Sequence, residues 1–338
     1  MKTIRNSEWV VRVGLAALVL IFAACKSSKS NKAEEGTAKT TEAAKPPVDD
    51  KAAPPETTPP PETPTASAKP APAEPTTKVK VGDTELDVWV AGEGTPILFI
   101  HGVMFRDPFQ PLVEKLSAEG FQVVTYGRRG YGGKKAAPID IATQAKDAVA
   151  VLDHLKIKKA NVVGHSFGAA VALQVGLQSP DRVLSLALME PPLLEHAPSS
   201  KAMAEGFGPI VEKYKKGDKA GALNDFLIAN GGSKEVVDKE LPAGAWDLAV
   251  ADVDTLFQSE LPSLGAWKVK PDAVKKLKMP VLFMRGNDTA PVFAESGDAL
   301  MKWLPKAKRI DVAKANHLFP VSQPDACATG VAQFAVKK

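Results

Sequence analysis

The pattern of apolar and polar positions predicts an alternation of strands and helices from about residue 78 onward. Alternating runs at 77–81 and 85–90 flank Gly82 and Asp83, which is typical of a β-hairpin. The continuous apolar run at 97–100 is typical of a strand buried on both faces of a parallel sheet. Further strands are predicted at 123–126, 160–163 and 183–189, and helices at 109–119, 139–155 and 167–178. This alternation predicts an α/β fold with a mostly parallel wound sheet and helices on both faces.

Residues 193 to about 272 interrupt the alternation with helical patterns and no clear buried strand. The strand and helix patterns then resume at 281–284, 293–304, 309–312 and 323–334. We therefore expect a helical cap inserted between two neighbouring strands of the sheet.

The first 25 residues are typical of a secretory signal, because Lys2, Arg5 and Arg12 precede a short apolar run at 13–24. That run is shorter than the roughly 20 residues that span a membrane. Cys25 follows at the expected cleavage site, so residues 22–25 resemble a bacterial lipobox. The resemblance implies a lipidated Cys25 as the mature N-terminus. A cleaved signal with an incidental cysteine, or an uncleaved anchor, are the alternatives.

Lys26 stands where Gram-negative sorting patterns place Asp for retention, so by that resemblance the anchor belongs to the outer membrane of the cell envelope. Residues 26–77 are rich in Pro, Ala, Thr, Lys and Glu and contain no aromatic residue. Such a segment buries too little apolar area to fold, and it predicts a disordered tether between the anchor and a domain at 78–338.

The net charge of +4 comes without a basic stripe interleaved with aromatic residues, so we expect no nucleic-acid partner. The chain has two cysteines, and if Cys25 is lipidated then Cys327 has no disulfide partner. We expect Cys327 to be a buried residue of the last helix.

Residues 164–168 read Gly-His-Ser-Phe-Gly and lie between a predicted strand and a predicted helix, which is the context of a nucleophile elbow. This pattern predicts Ser166 as a nucleophile. The backbone N–H of Phe167 is one expected donor to an oxyanion. A second would come from the loop after His101 and Gly102, from Val103 or alternatively from Met104.

A serine hydroxyl needs an adjacent base. Of the five histidines, His317 follows the last predicted strand and comes after the serine in the chain, as in a Ser-then-His order. His317 is therefore the predicted base, while His101 is expected to shape its loop.

Together these features resemble the α/β-hydrolase family over about residues 78–338. In most of the family the acid stands three residues past a glycine after the strand that follows the cap. Here Gly286 is that glycine and Thr289 the third residue, with Asp288 one position early. Another subset places the acid after the preceding strand, where this chain has Glu190. The sequence favours Asp288 slightly over Glu190.

The resemblance implies a carboxylesterase-like serine hydrolase that acts on a small ester-type molecule through an acyl-Ser166 intermediate. No metal-binding pattern and no glycine-rich nucleotide loop is present in the sequence, so no cofactor is expected. A non-catalytic binding module on the same scaffold, a cofactor-free perhydrolase and an acyltransferase are the alternatives.

Overall fold

The computed structural model describes residues 74–105, 109–134 and 138–337. The predicted signal segment, Cys25 and all of the predicted tether before residue 74 lie outside the described residues. Within the described residues, no helix combines the length and the apolar character needed to cross a membrane.

Eight strands form one sheet, and five neighbouring pairs are parallel while two are antiparallel. The strand order is β1-β2-β4-β3-β5-β6-β7-β8, and β2 runs antiparallel to both of its neighbours. The predicted mostly parallel wound sheet is therefore confirmed. The strands are β1 (Thr77–Val81), β2 (Thr84–Ala91), β3 (Thr95–Ile100), β4 (Phe121–Tyr126), β5 (Ala160–His165), β6 (Val183–Met189), β7 (Val281–Gly286) and β8 (Lys308–Val312).

Every strand and helix predicted outside the cap is present, with its ends shifted by no more than two residues. Short 3-10 turns occupy Pro180–Arg182 and Leu194–His196, and Leu256–Glu260 is π-helical. The α-helices are α1 (Gln110–Ala118), α2 (Ile141–His154), α3 (Phe167–Gln178), α4 (Ser200–Lys215), α5 (Lys219–Ala229), α6 (Lys234–Glu240), α7 (Ala245–Ala251), α8 (Val253–Thr255), α9 (Leu261–Ala266), α10 (Pro271–Val274), α11 (Pro291–Trp303), α12 (Phe319–Ser322) and α13 (Pro324–Phe334).

Helices cover both faces of the sheet. Successive side chains of a strand point to opposite faces, so one strand contributes to the hydrophobic cluster on each side. Ile97 and Phe99 of β3 belong to a buried cluster with residues of α1 and α13. Leu98 and Ile100 of the same strand belong to a second cluster with residues of α2, α3 and α11. This double burial explains the continuous apolar run in the sequence.

The segment between β6 and β7 contains α4 to α10 and no strand, as expected for a helical cap. Its helices share a hydrophobic cluster of their own, which includes Val211, Leu223, Phe226 and Phe257. Met104 from the loop after β3 joins this cluster, so the cap packs directly over the carboxyl edge of the sheet.

Candidate active site

Ser166 occupies the sharp turn between β5 and α3, with φ 55° and ψ −123°. The turn requires its two glycines. A Cβ on Gly164 would lie 2.3 Å from the carbonyl oxygen of Gly168, and a Cβ on Gly168 would lie 2.2 Å from that of Ile100. The positive φ of Ser166 is strained for a residue other than glycine, and such strain is typical of a functional site. The expected elbow geometry is therefore present around Ser166.

Three side chains from distant parts of the chain meet above this turn. His317, in the loop between β8 and α12, has its Nε2 2.9 Å from the Oγ of Ser166. The Nδ1 of the same imidazole is hydrogen-bonded to the Oε2 of Glu190. Ser166, His317 and Glu190 are 8%, 5% and 0% exposed, so water competes little for these bonds. A hydroxyl, an imidazole and a carboxylate in this order can transfer a proton from the hydroxyl and stabilise the imidazolium that forms.

The structure brings Glu190, and not Asp288, to His317. Glu190 directly follows β6, and its two oxygens accept hydrogen bonds from the backbone N–H of Gly286 at 2.8 Å and the hydroxyl of Thr289 at 2.9 Å. Asp288 is exposed, and its backbone N–H donates to the carbonyl oxygen of Ala315. The sequence-based preference for Asp288 is therefore corrected: parallel β6 and β7 end side by side, so a carboxylate after either strand can reach this point.

Two aromatic side chains hold the imidazole of His317 in place. The ring of Phe293, in the first turn of α11, stacks on it with centroids 3.6 Å apart and planes 7° apart. The Nε2–H of His165 donates to the backbone oxygen of His317 at 2.9 Å. Burial, followed by the proximity of His317, lowers the pKa of His165 to about 3, so this ring is neutral at physiological pH. His165 thus supports the loop of His317, and no sequence pattern had indicated Phe293.

The loop after β3 packs closely against the elbow. A Cβ on Gly102 would lie 3.3 Å from the Cβ of Ser166. The N–H of Met104 donates to the Oη of Tyr131 at 2.9 Å, so Met104, the alternative oxyanion donor, is engaged elsewhere. Val103 and Phe167 line one cavity together with Ser166. The backbone N–H groups of Val103 and Phe167 remain the two predicted oxyanion donors.

A buried ionic cluster joins this loop to the cap. The Oη of Tyr131 donates to the Oε2 of Glu260, in the π-helical turn of the cap, at 2.8 Å. The guanidinium of Arg128 lies 2.5 Å from the other oxygen of Glu260. The same guanidinium donates to the backbone oxygens of His101 at 3.0 Å and Gly102 at 2.7 Å. Arg128, Tyr131 and Glu260 therefore fix the shape of the loop that carries Val103.

Burial shifts the pKa values of groups in this cluster. Burial raises the pKa of Glu260 in spite of the neighbouring Arg128. Burial also raises the pKa of Tyr131 well above its ordinary value, so its hydroxyl remains a proton donor. His101 shapes the same loop, as expected: its Nδ1–H donates to the oxygen of Gly102 and its Nε2 accepts from the N–H of Arg128.

No group of three or more His, Cys, Asp or Glu side chains in the described ranges is arranged to hold a metal ion. Cys327 is fully buried in α13, and burial raises the pKa of its thiol to about 12. Its placement agrees with the expected role as a small core residue.

Comparison with known proteins places the chain in a family. The alpha/beta hydrolase fold family matches residues 95–324. A putative carbamate hydrolase, RutD, of Azorhizobium caulinodans is 35% identical over 111 residues, which are 32% of this chain and 42% of that protein, so the chain spans less than half of its length. A putative esterase/lipase of Haemophilus influenzae is 21% identical over 252 residues, or 71% of this chain and 83% of that protein.

Among solved structures, the enol-lactonase from Burkholderia xenovorans LB400 superposes with a TM-score of 0.65 at 22% identity, over 76% of this chain and 99% of that one. This likeness concerns the fold. Since the family match covers more than half of the chain, the protein belongs to the alpha/beta hydrolase fold family.

Proposed function

We propose that this protein is a serine hydrolase that cleaves an ester or a related acyl bond in a small molecule through an acyl-Ser166 intermediate. One observation supports this most strongly: the hydrogen-bonded series from Glu190 through His317 to the Oγ of Ser166, which opens on a cavity of about 150 Å³. A serine hydroxyl is a weak nucleophile unless a base accepts its proton, and His317 is within reach to do so.

In the first step the Oγ of Ser166 attacks the carbonyl carbon while the Nε2 of His317 takes the hydroxyl proton. The carboxylate of Glu190 stabilises the imidazolium through Nδ1. The backbone N–H groups of Val103 and Phe167 donate to the developing oxyanion. His317 then gives its proton to the leaving alcohol oxygen as the C–O bond breaks, which leaves the acyl group on Ser166.

In the second step a water molecule loses a proton to His317 and attacks the acyl carbon. The bond to the Oγ of Ser166 breaks, and the serine regains its proton from His317. The products are a carboxylic acid, an alcohol and the original enzyme.

A fluorophosphonate probe tests this proposal without requiring the natural substrate. Such probes react with activated serines, so wild-type protein should be labelled and Ser166→Ala should not. Ser322→Ala is a matched control, because Ser322 is an exposed serine near the same loops and should leave labelling intact. A folded wild-type protein that resists the probe would favour the non-catalytic binding module instead.

We also propose, from the sequence alone, that Cys25 is lipidated and anchors the domain in the bacterial cell envelope, at the outer membrane. The basic start, the short apolar run and the polar segment that follows support this proposal. Expression in a Gram-negative host with an alkyne analogue of palmitate should label the wild-type protein and leave Cys25→Ser unlabelled. Equal labelling of both proteins would contradict it.

A further inference from the structure

The cavity above Ser166 has walls from both the sheet and the cap. The residues that line it include none of the types Asp, Glu, Lys and Arg among the part of the chain that the structure describes. Its walls are mostly buried apolar side chains, among them Met104, Phe109, Phe167, Val211, Phe226 and Phe293.

Few of the described lining residues carry a polar side chain. His165, Ser166 and His317 form the bonds described above. Among the lining residues that the structure describes, Asn230 is the remaining polar side chain, and its Nδ2 donates to the backbone oxygen of Phe226 at 2.8 Å. An ionised group placed against the described lining residues would lose its hydration without gaining an opposite charge from them, which is strongly unfavourable. The cavity therefore selects against charged groups.

The volume of about 150 Å³ limits the size of the group that fits. Apolar cavities of this volume accommodate ligands of about six carbon atoms. The cavity lies directly against Ser166, to which the acyl group and not the alcohol becomes bonded. The alcohol must leave before water attacks, whereas the acyl group stays bonded to Ser166 through both steps.

We propose that this cavity is the acyl-binding chamber and that the substrate is an ester of an uncharged, apolar acid of about four to eight carbon atoms. This inference rests on the proposed serine hydrolase function, and it excludes acyl groups that end in a carboxylate.

Three p-nitrophenyl esters test the chamber on the full-length wild-type protein: the acetate, the hexanoate and the half-ester of adipic acid. The hexanoyl and adipoyl groups have equal chain length and differ by a terminal carboxylate. Each buried methylene contributes about fourfold, so hexanoate should exceed acetate in kcat/KM by at least about tenfold. Adipate should fall at least about 100-fold below hexanoate, because its carboxylate must be desolvated.

Two alanines of α4 provide matched variants. Ala204 lines the cavity, while Ala202 on the same helix is exposed. Phe at position 204 would fill part of the chamber. Ala204→Phe should therefore lower the ratio of hexanoate to acetate kcat/KM at least about tenfold, whereas Ala202→Phe should keep the wild-type ratio.

Labelling with a fluorophosphonate in the same samples separates this inference from the function on which it rests. If wild-type protein is labelled and its kcat/KM for the acetate and adipate esters equals that for the hexanoate ester, the chamber assignment is wrong and the serine hydrolase proposal stands. If Ala204→Phe does not fold, the comparison of hexanoate with adipate on wild-type protein still decides. A folded, unlabelled and inactive wild type would overturn both.

Discussion

Replacement of Glu190 by Gln changes one oxygen of the site to an NH2 group and leaves its size unchanged. Glu190 is fully buried and accepts hydrogen bonds from the Gly286 N–H, the Thr289 hydroxyl and the Nδ1 of His317. A carboxylate can accept all three bonds, whereas a carboxamide has one oxygen acceptor. At least one of the three donors must therefore face an NH2 group in Glu190→Gln.

The size of the loss in kcat depends on the orientation of the new carboxamide group. The backbone N–H of Gly286 is fixed, and a carboxamide oxygen that accepts from it leaves the NH2 group toward His317. The imidazole must then accept at Nδ1 and carry its hydrogen at Nε2, where it cannot take the proton of Ser166. Loss of the correct tautomer in a Ser-His-carboxylate site costs about 10⁴-fold in kcat. This corresponds to about 5.5 kcal/mol of transition-state free energy.

If the oxygen instead faces His317, the Gly286 N–H is left unpaired and stability falls by about 1–3 kcal/mol. The assay measures kcat for p-nitrophenyl hexanoate together with the free energy of unfolding in urea. Because that second orientation leaves a fixed, buried N–H unpaired, we expect the first one, so Glu190→Gln should lose at least about 10³-fold in kcat and remain folded.

Asp288→Asn is the matched control, because it makes the same chemical change at the exposed carboxylate that the sequence favoured. We expect its kcat to stay within about threefold of wild type. The reasoning is refuted if the kcat of Asp288→Asn falls by orders of magnitude while Glu190→Gln retains more than about a tenth of the wild-type kcat.

Three further predictions concern the surroundings of the site. Tyr131→Phe removes the hydroxyl between the oxyanion loop and the cap, so kcat should fall about tenfold with little change in KM, and unfolding free energy by about 1–3 kcal/mol. Tyr126→Phe is the control, because it removes a buried hydroxyl that has no hydrogen-bond partner among the described residues. It should leave kcat and the free energy of unfolding unchanged. His165 binds a proton more readily in the unfolded chain, because burial lowers the pKa of its imidazole to about 3 in the folded protein. The free energy of unfolding of the wild-type protein should therefore fall from pH 6.5 toward pH 3, by up to about 1.4 kcal/mol per pH unit. Urea titrations should show this slope reduced in His165→Gln but not in the exposed His154→Gln. Gly206→Ala, in α4 with nothing within 4 Å of the added Cβ, should raise unfolding free energy by about 0.5–1 kcal/mol, and an unchanged or lower value would contradict this.

The sheet and the nucleophile elbow could be predicted because their signals are local. Buried strands of a parallel sheet are continuous apolar runs, and Gly164 and Gly168 stand where a Cβ would strike the backbone. His317 was identifiable from its place after the last strand. These features need no knowledge of distant contacts.

The acid and the supporting residues could not be assigned with the same ease, because they depend on contacts between distant parts of the chain. Glu190 and Thr289 are 99 positions apart and meet only because β6 and β7 end side by side. Thr289 occupies the position at which the family resemblance predicts a carboxylate, and it donates to Glu190 instead. Tyr131 and Glu260 are 129 positions apart, and the packing of the cap alone brings them together.

A crystal structure of the protein after reaction with a p-nitrophenyl phosphonate tests the proposed mechanism most directly. We expect phosphorus bonded to the Oγ of Ser166 and the phosphonyl oxygen about 3 Å from the backbone nitrogens of Val103 and Phe167. His317 should remain between Ser166 and Glu190. Phosphorus on any other side chain, or a phosphonyl oxygen directed away from both N–H groups, would contradict the mechanism.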